Sequence, residues 1–271
     1  MLIDTHCHIN VMVKKTFKDF DQPLTLNELM EADLIVREAA QAEISQILNV
    51  GTSLIESINC ITLANRYPDV YAAVGIHPND LTYDWKEDLL EIEKYLKKKE
   101  DYKIRAIGEC GIDKHYPDYN IQRQEDAFKR QIELALTYNL PLVVHSRDAA
   151  EETYKCLRQF TSSSLRGTIH CFSEDHAWAQ EALSLGFVLG IGGTVTYPRN
   201  SVLRSVVQTV GIDKIILETD APFLPPQTMR GKKNHPRFIV TIADYIAMLL
   251  NISVAEVAHT TTRTAKELFK L

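Results

Sequence analysis

Short apolar, β-branched runs alternate with longer stretches of helical spacing along the whole chain. The runs predict strands at 2–9, 44–52, 70–77, 104–111, 141–146, 167–172, 187–194 and 215–221. Between them apolar residues recur at helical intervals, as at Leu29, Leu34, Val36 and Ala40 in the first such segment and Ala127, Ile132, Leu134 and Leu136 in the fourth. Near-continuous apolar strands are what a parallel sheet buried on both faces requires. Eight of them, each followed by a helix, make the count of a (β/α)8 TIM barrel, and residues 1–271 are read as one such α/β domain. The alternative is a doubly wound open sheet, which would carry G-x-G-x-x-G after its first strand. The sequence has none there, and Gly190-Ile-Gly-Gly193 comes late, as close packing or a turn.

The polar residues that interrupt these runs fall at strand ends. His6 and His8 sit on strand 1 and Glu109 on strand 4, His145 follows Leu142-Val-Val, His170 follows Gly167-Thr-Ile, and Asp220 closes strand 8. Alternation on strand 1 places Asp4, His6 and His8 on one face and Ile3, Thr5 and Cys7 on the other. Taken alone, His6-Cys-His8 fits a metal site or a pair of hydrogen-bonded core histidines equally well. The C-terminal face of a barrel is where active sites are built, so all six donors are expected at one mouth. A catalytic zinc site uses about three protein ligands. Six donors therefore suit two divalent cations, with one carboxylate bridging. Zn, Mn, Mg, Co and Ni are not distinguished by such a set. Cys7, Cys110 and Cys171 each adjoin a donor, and alternation turns them outward beneath the helices as packing thiols.

Composition bounds the partners. The chain is 45% hydrophobic and 24% charged, with a net charge of -6, which argues against a protein that coats nucleic acid electrostatically. It leaves room for an enzyme that grips a few phosphates locally. There is no run of eighteen apolar residues, so no membrane association is expected, nor a signal peptide, because the chain opens directly into a strand. Five scattered cysteines without C-x-x-C fit a reducing, cytoplasmic setting, and size and charge permit a monomer. The longest irregular stretch, Asn10 to Pro23, carries Lys14, Lys15 and Lys18.

Six segments together resemble the TatD-related metal-dependent deoxyribonucleases of the amidohydrolase superfamily. They are Ile3-Asp-Thr-His-Cys-His8, Gly75-Ile-His-Pro78, Ile107-Gly-Glu-Cys-Gly-Ile-Asp113, Pro141-Leu-Val-Val-His-Ser-Arg147, His170-Cys-Phe172 and Glu218-Thr-Asp-Ala-Pro-Phe223. The resemblance implies a (β/α)8 barrel, a divalent metal centre and hydrolysis of DNA phosphodiester bonds, at single strands or strand ends and as an exonuclease. It implies His6, His8 and Asp220 on one metal, His145 and His170 on the other, and Glu109 shared. Asp220 would take the proton of the attacking water, His77 would lie close to substrate, and Asp4 and Glu218 would orient ligands from behind. Arg147, Arg230, Lys232, Lys233 and Arg199 are candidates for neighbouring phosphates, singly also readable as solvated surface. The loop 10–23 and the segment Arg230-Gly-Lys-Lys-Asn-His-Pro236 depart from the family pattern and bear on substrate choice. The alternative activity is hydrolysis of an amide, ester or lactone, including a D-aminoacyl-tRNA ester. Glu109, where two-metal relatives often carry a carbamylated lysine, favours the nuclease. A one-metal deaminase would leave ligands idle, and a non-catalytic binding protein would not need them.

Overall fold

The computed structural model describes residues 1–160 and 164–271. Eight strands run in chain order as one parallel sheet: β1 Leu2–Cys7, β2 Ile44–Val50, β3 Val70–Val74, β4 Ile104–Asp113, β5 Leu142–Arg147, β6 Gly167–Ile169, β7 Phe187–Ile191 and β8 Ile215–Leu217. The outer layer is α1 Ile9–Met12, α2 Leu26–Gln41, α3 Leu54–Arg66, α4 Trp85–Leu96, α5 Ile121–Tyr138, α6 Ala150–Arg158, α7 His176–Ser184, α8 Ser201–Val210, α9 Ile239–Leu250 and α10 Val254–Phe269. This is the expected TIM barrel. No single helix among the described residues is long and apolar enough to cross a membrane.

Two apolar clusters follow from strand alternation. The larger lies between the sheet and the helices. The smaller fills the barrel, with Ile3, Leu48, Val50, Ala73, Ala106, Val143 and Ile216 closed from below by Ala265, Leu268 and Phe269 of α10. Its lower interior is thus a packed core, and only the upper rim is left for polar chemistry.

The seam between β1 and β8 is closed differently from the other strand pairs. β8 stops at Leu217, and the chain runs on alongside β1 through a single bridge, Cys7 to Ala221, with Asp220 N–H donating to His6 O at 2.8 Å and His8 N–H to Ala221 O at 2.8 Å. Side chains make the rest of the seam. Thr5 Oγ1 donates to Leu217 O at 2.8 Å. Both Asp4 oxygens accept from Thr219, from N–H at 2.9 Å and from Oγ1 at 2.6 Å.

Several expectations need correction. Six of the eight strand runs overshoot at their C-terminal ends, so that His8, His170 and Asp220 lie beyond the regular ladders, whereas β4 and β5 run on to Asp113 and Arg147. Strict alternation fails on β1, where Ile3 belongs to the inner cluster and Cys7 to the outer one. Pairing slips between Asp4 and Cys7, and one slip reverses the side-chain parity. Helix α2 turns Leu29, Ala32, Val36 and Ala39 inward, and leaves Leu34 and Ala40 exposed. The stretch 10–23 is not a free basic loop. It opens with α1, and Lys14 is buried, its ammonium donating to the carbonyls of Gln22 and Pro23 and pairing with Glu28 at 3.2 Å. Glu28 also completes the capping box with Thr25 that starts α2.

Candidate metal centre

The sequence-predicted donors meet at the C-terminal mouth, and Glu109 stands at their centre. Its Oε2 lies 3.3 Å from His6 Nε2 and 3.7 Å from His8 Nε2. Its Oε1 lies 2.8 Å from His145 Nδ1 and 3.7 Å from both His77 Nε2 and His170 Nε2. Asp220 Oδ1 is 3.4 Å from His8 Nε2, 3.7 Å from His6 Nε2 and 4.0 Å from His170 Nε2. The backbone turns left-handed at Asp220 (φ 57°), a conformation that aspartate tolerates better than most residues.

Hydrogen bonds behind the rings settle what each presents to the centre. His8 Nδ1 is 2.8 Å from Val50 O, a pure acceptor, so Nδ1 carries the proton and Nε2 offers a lone pair. His170 Nδ1 lies 3.0 Å from Glu218 Oε1, an ion-pair contact outside hydrogen-bond geometry that still leaves Nε2 turned to Glu109. His145 is held the other way round, with Nε2 against Asp113 Oδ2 at 3.1 Å and Nδ1 directed to Glu109. Three ring nitrogens therefore converge on two carboxylates, and His6 Nε2 approaches His8 Nε2 to 3.0 Å. Acceptors facing acceptors at such distances need positive charge between them, supplied by protons on the rings or by a metal cation. These separations match the edge of a coordination shell, about 3.4 Å for ligands 2.1 Å from a tetrahedral ion. His6 Nδ1, fully buried, has no hydrogen-bond partner among the described residues. The donor set fits divalent cations on all these counts.

The electrostatics agree. Burial opposes ionisation of Glu109, but His170, His6 and the bonds from His145 and His6 outweigh it and hold the carboxyl well below the usual range. Asp220 is likewise held low by His8, His170 and His6 against burial. In the ion-free protein protons supply the missing positive charge. Burial works against them, yet Glu218, Glu109 and Asp220 push His170 up to about 10, and Asp220, Glu109 and Glu56 push His8 up to about 9.

His77 differs from the other rings. Asn79 N–H donates to its Nδ1 at 3.1 Å, so Nε2 carries the proton. Burial and the charge of His145 lower it to about 3, which keeps it neutral. Its nitrogen groups with Glu109 and His145 as closely as a ligand would, but what it presents is an N–H donor. His170 groups with His6 and Glu109 and His145 with His77 and Glu109, so His145 and His170 meet through the shared Glu109 Oε1.

The supporting residues fall partly where expected. Glu218 lies behind His170 and also accepts from Cys171 N–H at 2.6 Å. A Cβ on Gly190 would collide with this carboxylate, which gives the glycine run its packing role. Asp4 touches no ligand ring. It accepts from His6 N–H at 3.3 Å and secures Thr219, and burial raises its carboxyl to about 7. Cys7 and Cys110 pack outward as expected. Cys171 does not: its left-handed backbone (φ 47°) breaks the alternation and puts it in the cavity wall. Asp113 was not singled out from sequence, although it stands four residues after Glu109, on the same face of an alternating strand.

The centre opens into a cavity of about 790 Å3 lined by His8, His77, Glu109, His145, His170 and Asp220. Of the basic candidates only Arg147 lines it, exposed at the end of β5. Arg230 stacks on Tyr197 at 5.0 Å, and Arg199, Lys232 and Lys233 stand outside the lining. In the same segment buried Asn234 donates to Thr219 O and Phe223 O, both at 2.6 Å, and so fastens the loop after β8.

Comparison with known proteins places this centre in context. The family model described as TatD related DNase matches residues 3–270. The metal-dependent hydrolase YabD of Bacillus subtilis is 33% identical over 271 residues, covering 100% of both chains. The metal-dependent hydrolase YcfH of Escherichia coli is 30% identical, covering 100% of this chain and 96% of its own. The crystal structure of YjjV, a TatD homologue of E. coli, superposes with a TM-score of 0.88 at 27% identity, covering 100% of this chain and 98% of its own. A TatD family hydrolase of Entamoeba histolytica, at 19% identity and covering 99% of this chain and 97% of its own, shares the fold (TM-score 0.80).

Proposed function

This chain belongs to the TatD related DNase family of metal-dependent hydrolases, and from that premise we propose that it hydrolyses phosphodiester bonds in DNA, at single strands or strand ends. The observation that carries this reading is the convergence of imidazole nitrogens on Glu109 and Asp220 beneath an open cavity with an exposed guanidinium, Arg147, at its wall. His6, His8 and Asp220 would hold one divalent cation and His145 and His170 the other, with Glu109 between them. Bound there, such cations acidify water and neutralise charge on phosphate oxygens.

The chain's own residues supply the rest. Asp220, ionised at neutral pH and lining the cavity, accepts the proton of the attacking water as its oxygen closes on phosphorus. The P–O bond to the leaving oxygen breaks, and Asp220 returns the proton there. His77 donates its Nε2–H to a non-bridging oxygen, and Arg147 binds the neighbouring phosphate.

The test is a screen of metal-reconstituted protein on end-labelled single- and double-stranded DNA, RNA and model esters, with Asp220→Asn alongside. DNA should be cut, and the variant should lose about 10²- to 10⁴-fold in kcat, the usual cost of a lost general base. Turnover of esters, lactones or D-aminoacyl-tRNA with intact oligonucleotides would replace the nuclease by the other hydrolase. A variant within a few-fold of the wild type would remove Asp220 as the base.

A further inference from the structure

Beside the metal centre, and sharing a wall with it, lies a second cavity of about 380 Å3 between the loops that follow β3 and β4. Asn79 and Tyr116 line both cavities, so the two adjoin at these residues. Its walls hold Tyr116, Tyr119 and Arg123, and three tyrosines here are turned to solvent: Tyr83 is 89% exposed, Tyr116 52% and Tyr119 41%. Tyr116 and Tyr119 bring partly open aromatic faces to the cavity, and Tyr83 meets Arg123 from outside its lining. The Arg123 guanidinium lies over the Tyr83 ring at 4.7 Å and borders the cavity. The shelf is fixed rather than loose. Tyr119 N–H donates to Tyr116 O at 3.3 Å across a turn, and the Asn120 side chain accepts from Arg123 N–H at 3.0 Å to start α5. It is also wired to the centre, because Asn79 Nδ2 donates to Asp113 Oδ2 at 2.9 Å, the same oxygen that faces His145.

We propose that this shelf is a nucleobase subsite, where the base adjoining the scissile phosphate stacks on Tyr116 or Tyr119 beside Arg123. Aromatic faces beside a guanidinium are the chemistry by which unpaired bases are held without sequence preference, and a paired base in a duplex offers no free face to them. The volume is of the size that small ligands occupy. The inference rests on the DNA-hydrolase reading and adds to it a requirement for an unpaired base at one defined distance from the bond cut.

The experiment is an abasic scan. Metal-reconstituted wild type is given single-stranded oligonucleotides in which one nucleotide at a time is replaced by an abasic tetrahydrofuran. The same set is given to Tyr116→Ala/Tyr119→Ala and to Tyr116→Phe/Tyr119→Phe. One position near the scissile bond should cost the wild type about 5- to 140-fold in kcat/KM, the range spanned by base–aromatic stacking. The Ala pair should lose a similar factor on the intact strand and show no further loss at that abasic position, while the Phe pair keeps the wild-type pattern. An abasic profile that is flat, or unchanged in the Ala pair, overturns the subsite and leaves the DNA-hydrolase reading standing. Failure of the wild type to cut any oligonucleotide overturns both.

Discussion

Replacing Glu109 by Gln tests the centre at its hub. The amide has the size of the carboxylate, so no cavity opens and only the charge is lost. In the ion-free protein that charge faces three rings pushed toward imidazolium, His8 and His170 each at 3.7 Å and His145 at 2.8 Å. At an effective dielectric constant of about 20 each of the two longer pairs contributes about 4.5 kcal/mol before desolvation is subtracted. Removing one partner of a buried charge set costs about 3–5 kcal/mol net. Divalent ions in place of protons lose at least as much. Glu109→Gln should therefore weaken metal binding by about 150- to 4,000-fold, and at both sites together. Competition with a chromophoric chelator gives the affinities, and elemental analysis after dialysis gives the stoichiometry. Two ions retained with affinities within a few-fold of wild type would refute the central role of Glu109.

Asp113→Asn leaves His145 Nε2 facing a neutral amide, and metal affinity should fall about 10- to 100-fold, as for other partners that orient a ligand histidine; an unchanged affinity would reduce Asp113 to its bonds with His115 N–H and Asn79. His8 and His170 are raised in the folded ion-free protein, to about 9 and about 10, from 6.5. Their stabilisation is complete below about pH 6.5 and is lost as pH rises through 9 to 10, so the melting temperature of chelator-treated protein should fall over that window. Loading with metal should abolish that fall and release protons at pH 7.5, measured by calorimetry in two buffers of different ionisation enthalpy; a flat or rising melting curve from pH 7 to 10 would contradict the assigned charges. Arg147→Ala should raise KM on oligonucleotides and flatten the slope of log K against log salt by about 0.7. Lys232→Ala/Lys233→Ala, outside the cavity lining, should change KM less, and the reverse order would move the path of the substrate to the loop after β8.

The period of apolar positions was enough to determine the architecture, because a parallel sheet covered on both faces leaves a run of β-branched residues for every strand and a helical stripe for every crossover. It also determined which residues reach the centre. His6, His8, Glu109, His145, His170 and Asp220 interrupt apolar runs at their ends, and the ends of parallel strands share one rim. Periodicity did not carry local departures from regular backbone. The slip on β1 reverses the parity between Ile3 and Cys7, and the left-handed turns at Cys171 and Asp220 re-aim side chains that alternation assigns elsewhere. Nor does a sequence say which basic residue is spent on structure: Lys14 is consumed by two carbonyls and Glu28, whereas Arg147 is left open at the cavity. The direction each histidine faces was decided only in three dimensions. Val50 O behind His8 and Asp113 behind His145 free a lone pair, Glu218 beside His170 leaves Nε2 turned to Glu109, and Asn79 N–H on His77 Nδ1 leaves a donor. An imidazole is ligand or donor according to the bond on its far nitrogen, and that bond comes from a residue distant in the chain or from a turn formed only when the barrel closes.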